Sequence, residues 1–119
     1  MILGIGSDIT QIPRIERLVD KFGDKFISRI LSADEKEIYS KKSDNAFIAR
    51  RFAGKEAIFK ALGVGAGRPI GFKDISIMND DLGAPKVKIM NHSTDVMIHV
   101  SLSDDYPVAI AFAVATLKK

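Results

Sequence analysis

The chain has 119 residues, 46% of them hydrophobic, no cysteine and a formal charge of +3. Those values exclude disulfide-held folds, thiolate chemistry and intrinsic disorder, and they fit one compact domain over 1–119. No apolar run approaches the roughly 20 residues needed to span a bilayer, and the opening MILGIG lacks the basic flank of a signal peptide, so the expected setting is cytoplasmic, with no membrane partner.

Residues 2–10, ILGIGSDIT, read as a strand with Asp8 near its end. IPRIERLVDKFGDKF follows as a helix opened by Pro13, with Ile15, Leu18, Val19 and Phe22 as its apolar stripe and Gly23 as its interruption or end. In the next segment Ser32 precedes Asp34 and Glu35 as an N-cap with an acidic first turn. Ser43 or Asp44 caps a helix over about 45–62, and Gly63 is its stop.

GVGAGRPIG is a glycine-rich loop. FKDISIMND and APKVKIM read as two strands around a hairpin turn, NHSTDVM is a turn or one short helical turn, and IHVSLS and PVAIAFAVA are the last strands. The order predicts an α+β fold, with helices packed on a mainly antiparallel sheet. In the last strand Val108, Ile110, Phe112 and Val114 alternate with Ala109, Ala111, Ala113 and Ala115. Such an alanine face admits close approach, either by a helix of the same chain or by another subunit.

The stretch RRFAGKEAIFK, Arg50 to Lys60, carries the chemistry. At about 100° per residue, Ile48, Phe52, Phe59 and Leu62 make one stripe, flanked by Ile58. Lys55 projects into that stripe, and a buried lysine needs a partner or a route to water. Glu56 and Lys60 lie beside it, on a face shared with Ala49 and Ala53, which leave room for a neighbouring chain or ligand. A Glu–Lys pair four apart is by itself a common surface feature worth about 0.3–0.5 kcal/mol. Here it stands among Arg50, Arg51, Lys55 and the following Arg68, a set that suits a phosphorylated ligand with a divalent metal. GVGAGR is not a Walker A loop, since it lacks the closing Gly-Lys-Ser/Thr, and it follows a helix, so it is not a dinucleotide fingerprint either.

Taken together, GIGSDITQIPRI, RRFAGKEAIFKALGVGAGR and IHVSLSDD resemble the holo-[acyl-carrier-protein] synthases, small bacterial 4′-phosphopantetheinyl transferases. The early motif is matched by Gly4, Ile5, Gly6, Asp8 and Arg14, and the second by Phe52, Ala53, Lys55, Glu56, Ala57 and Lys60. At the third, Asp104 stands where the family commonly has a second histidine, and the region before His99 looks shorter than usual.

The resemblance implies a 4′-phosphopantetheinyl transferase fold. It also implies Mg²⁺-dependent transfer of the phosphopantetheine arm of coenzyme A to a serine of acyl carrier protein, releasing adenosine 3′,5′-bisphosphate and supporting fatty acid biosynthesis. Asp8 and Glu56 are then the metal carboxylates, because Mg²⁺ takes one or two carboxylates and completes its octahedron with water and phosphate. Lys60 stabilises phosphate charge and Lys55 is a second cation. Glu56, or a metal-bound water beside it, takes the serine proton.

Arg51, Gly63, Gly65, Gly67, Arg68 and His99 are candidates for coenzyme A contact, and Arg14, Arg17 and Lys21 for the acidic carrier protein. A homotrimer with sites between subunits is implied. Two readings compete. A nucleic-acid module is opposed by the absence of basic strands interleaved with stacking aromatics. A binder that has lost catalysis is opposed by the presence of Asp8, Glu56 and Lys60.

Overall fold

The computed structural model describes residues 1–42, 44–63, 70–90 and 95–118. Strand β1 is Ile2–Gln11, helix α1 is Ile12–Phe22, α2 is Asp24–Ile30, α3 is Ala33–Lys42 and α4 is Asn45–Leu62. A short 3-10 turn, Phe72–Asp74, leads into β2, Ile75–Asn79, and β3 is Pro85–Ile89. The long strands β4, Val96–Asp105, and β5, Val108–Leu117, close the chain. The segment FKDISIMND is thus strand only from Ile75 onward: the Asp74 carboxylate accepts from Gly71 N, and Asp74 N donates to Gly71 O, closing the first three residues into a turn.

All ladders are antiparallel. One sheet has the order β1-β5-β4 and the other is the β2-β3 hairpin. Helix α4 begins where Asp44 accepts from Ala46 N at 2.9 Å, and it stops at Gly63, whose φ of 69° and ψ of 29° lie in the left-handed region that only glycine enters at little cost. It lies across the three-stranded sheet. Ala109, Ala111, Ala113 and Ala115 of β5 are each at most 1% exposed; the last three cluster with Ala53, Ala57 and Ala61 of the helix, and Ala109 joins the cluster of Ala49. The alanine face of the last strand therefore packs against a helix of its own chain. The room expected above the helical alanines is filled by β5 and β1.

Close packing also explains the two glycines of GIGSD. A Cβ on Gly4 would lie 2.0 Å from the Ala61 carbonyl oxygen, and one on Gly6 would lie 2.1 Å from that of Ala57. Any side chain there pushes helix and strand apart, so the glycines set the distance at which β1 meets α4. The first half of α4 packs with Ile12, Ile15, Ile27, Ile30 and Leu31 from the short helices. Phe22, expected in the core stripe of α1, is 46% exposed instead: Gly23, with φ 56°, ends the helix just after it, and the chain turns into α2.

Candidate active site

Along β1 the side chains alternate, so Gly4, Gly6, Asp8 and Thr10 share the face toward α4. The glycines hold strand and helix together, and Asp8 is the first carboxylate beyond them. Lys60 comes down from α4 to meet it: the ammonium donates to Ser7 O at 2.9 Å and approaches Asp8 Oδ1 at 3.4 Å. The other oxygen, Oδ2, accepts from the Thr10 hydroxyl at 2.9 Å.

Glu56, half-buried one helical turn before Lys60, completes the group. Its carboxyl is held above the usual range, chiefly by burial and next by the negative charge of Asp8, while Lys60 and Arg14 pull it back. Two carboxylates that repel each other, with an ammonium alongside, fit a hard divalent cation bound partly by protein and partly by a phosphate ligand. Among the described residues no group of three or more His, Cys, Asp or Glu side chains is placed to hold a metal ion. Ser7, Asp8 and Lys60 open into a cleft of about 380 Å³ whose other walls are Ile9, Ile110, Ala111 and Phe112.

Lys55 is not brought to this cleft. It is fully buried and donates to Ile30 O at 2.7 Å and to Glu35 Oε1 at 2.5 Å. Burial lowers its proton affinity and Glu35 restores part of it. The Glu35 carboxylate is the hub of this region, accepting also from Ser32 N at 2.9 Å and Ile77 N at 2.7 Å. Sequence reasoning saw Glu35 only as a first-turn acid after Ser32. The reciprocal bond from Glu35 N to Ser32 Oγ makes the pair a capping box, but the same carboxylate also neutralises the buried lysine. The signal was Lys55 itself, a cation on an apolar stripe that required an acid from elsewhere.

Arg51 is likewise buried, at 3% exposure, with Nε donating to Ile77 O at 3.1 Å and the guanidinium 4.2 Å from the centre of the Phe47 ring. Its pKa is lowered to about 10, first by burial and also by Arg50, against the pull of Glu35. Arg50 and Arg51 border a second cleft, of about 290 Å³, with Asn79, Gly83 and Pro85. Asp104 pairs with Arg50 at 2.8 Å. His99 is exposed on the outer sheet face, its Nε2 3.2 Å from Thr116 Oγ1.

Gly63 is the cap of α4, while Gly65, Gly67 and Arg68 lie outside the described residues. Arg14, Arg17 and Lys21 are exposed along one side of α1. A groove between α1 and α2 is lined by Leu18, Phe22, Lys25, Phe26 and Arg29.

This arrangement has counterparts. The 4′-phosphopantetheinyl transferase superfamily matches residues 4–111. A holo-[acyl-carrier-protein] synthase from Orientia tsutsugamushi is 48% identical over 126 residues, spanning 96% of this chain and 96% of that protein. Among solved structures, a holo-(acyl-carrier-protein) synthase from Bacillus anthracis in complex with CoA (3′,5′-ADP) has a TM-score of 0.88 at 38% identity, covering 100% of this chain and 99% of that one. The Helicobacter pylori enzyme in complex with coenzyme A has a TM-score of 0.85 at 38% identity, covering 94% and 99%. The chain therefore belongs to the 4′-phosphopantetheinyl transferase superfamily. Within it, the chain is an enzyme of the holo-[acyl-carrier-protein] synthase group.

Proposed function

We propose that the chain, acting as one domain, moves the 4′-phosphopantetheine arm of coenzyme A onto a serine hydroxyl of apo acyl carrier protein, with Mg²⁺ held by Asp8 and Glu56. The observation that carries this reading is the meeting of Asp8 and Lys60 across strand and helix, with the Glu56 carboxyl loaded by the charge of Asp8. A bond forms between the serine oxygen and the β-phosphorus, the bridging P–O bond breaks, and adenosine 3′,5′-bisphosphate leaves. When bound there, Mg²⁺ supplies charge neutralisation of the pyrophosphate. Lys60 stabilises the negative charge that grows on the phosphate oxygens. Glu56, or a water beside it, takes the serine proton.

Arg51, Gly63, Gly65, Gly67, Arg68 and His99 remain the proposed coenzyme A contacts. The cleft bordered by Arg50 and Arg51 supports an anionic end of the coenzyme near Arg51. Lys55 is proposed to serve indirectly, by fixing α4 through Glu35. Arg14, Arg17 and Lys21 are proposed to meet the acidic carrier protein, a role supported by their common exposed side of α1.

A homotrimer with sites between subunits is supported by the outer sheet face. Ile5, Ile9 and Phe112 there are 71%, 67% and 59% exposed, an apolar surface of the kind that marks a protein contact. Ile9 and Phe112 also wall the Asp8–Lys60 cleft, so a second copy on that face would close it. Among the described residues no helix is long and apolar enough to cross a membrane, and the proposed setting is the cytoplasm, in fatty acid biosynthesis. Intact-protein mass spectrometry of apo carrier protein with coenzyme A tests the reading. The expected result is a phosphopantetheine mass gain that requires Mg²⁺, and equal gain in chelator would overturn the metal assignment.

A further inference from the structure

Thr10 is 4% exposed, and its hydroxyl donates to Asp8 Oδ2 at 2.9 Å. A buried hydroxyl left without a partner is costly, so this contact matters to both residues. The register fixes its geometry. Asp8 pairs with Ala111 and Thr10 with Ala109, and alanines offer no side-chain group that competes for either. The β-branched side chain has restricted χ1 freedom, so the donor direction is set by the strand. The two oxygens of Asp8 are thereby made unequal: Oδ2 is turned into the protein, and Oδ1 faces Lys60 at 3.4 Å.

We propose that Thr10 is a positioning residue for Asp8, holding the carboxylate so that Oδ1 is the oxygen presented to a divalent cation in the cleft. The inference rests on the reading of Asp8 as a metal ligand. Without the hydroxyl the carboxylate rotates about χ2, and the Lys60 ammonium, already 2.9 Å from Ser7 O, competes for both of its oxygens. Partners that orient a metal ligand typically change affinity by about 10- to 100-fold when removed.

The test is Mn²⁺ binding, followed by electron paramagnetic resonance of the free ion, with and without coenzyme A. Wild type is compared with Thr10→Val, Thr10→Ala and Thr10→Ser, each first shown to be folded by circular dichroism. Thr10→Val keeps the shape and removes the donor, and Thr10→Ala does the latter should the valine variant fail to fold. Both are expected to bind Mn²⁺ about tenfold more weakly, with Thr10→Ser restoring most of the loss. At saturating Mg²⁺, kcat recovers while the Mg²⁺ concentration needed for half-maximal rate stays raised. Wild-type affinity in the hydroxyl-free variants would overturn the proposal, as would a serine variant as weak as they are. Absence of Mn²⁺ binding by wild type under both conditions would instead overturn the metal reading beneath it.

Discussion

Lys55 and Lys60 stand on the same helix, five residues and about 140° of rotation apart, and they live in different solvents. Lys55 is fully buried and spends its charge on Glu35 and the Ile30 carbonyl. Lys60 is 54% exposed and reaches Asp8 at the mouth of a cleft. The first lysine ties α4 to α2, α3 and β2 and so fixes the roll of the helix, whereas the second uses that roll to meet β1. The adjacent Lys55 and Glu56 divide in the same way, one into the core and one within the field of Asp8 and Lys60. A motif whose residues are neighbours in sequence thus performs two tasks, and helical phase decides which residue gets which.

Breaking the buried side should produce the largest change. Glu35→Ala leaves Lys55 charged and unpaired, and should cost about 3–5 kcal/mol of unfolding free energy in a denaturant titration. The double replacement Glu35→Leu/Lys55→Met should recover only part of that loss, because it removes the unpaired lysine but still leaves Ser32 N and Ile77 N without their acceptor.

Breaking the open side should leave stability within about 1 kcal/mol, since a half-exposed ion pair contributes little. Lys60→Ala should nonetheless lower the transfer rate by about 10²–10³, the usual size for a lost charge-stabilising donor. If Lys60→Ala unfolds the protein as readily as Glu35→Ala does, the division between the two lysines is wrong.

The spacing between strand and helix comes next. Gly6→Ala should cost about 1–3 kcal/mol by overpacking, because the new Cβ meets the Ala57 carbonyl, and it should weaken transfer by moving Asp8 away from Lys60.

The smallest effect sharpens the account of Glu56. Burial and Asp8 raise its folded pKa above the unfolded value, so the ionised carboxylate opposes folding. Above the folded pKa Glu56→Gln should therefore melt slightly higher than wild type. The gap should shrink as pH falls through the folded pKa and vanish below the ordinary carboxylate value. A constant gap across that range would contradict the raised pKa.

Much of this was legible because it is local. Helix 45–62, a cap at Ser43 or Asp44 and the Gly63 stop follow from turn chemistry, with the structure choosing Asp44, and the alternation of β5 follows from a period of two. The phase of Lys55 announced a buried cation, and the Glu56–Lys60 spacing announced a shared face. What escaped depends on contacts far apart in sequence. Glu35 satisfies a capping box twenty residues before Lys55, so nothing local marks it as the lysine's partner. Gly4 and Gly6 read only as members of a strand and a motif until Ala57 and Ala61 are seen against them. The helical alanines advertised free space that β1 and β5 occupy. Phe22 fitted the apolar stripe, but the positive φ of Gly23 ended the helix beneath it.

The central claim is that Asp8, Glu56 and Lys60 form one metal–pyrophosphate site held by a helix whose fold does not depend on them. Intact-protein mass spectrometry of apo acyl carrier protein incubated with Glu56→Gln, coenzyme A and Mg²⁺ tests it most directly, with the variant's melting temperature measured alongside. The account predicts almost no phosphopantetheine mass gain from a protein that melts at or slightly above wild type. Full mass gain from that variant would contradict it.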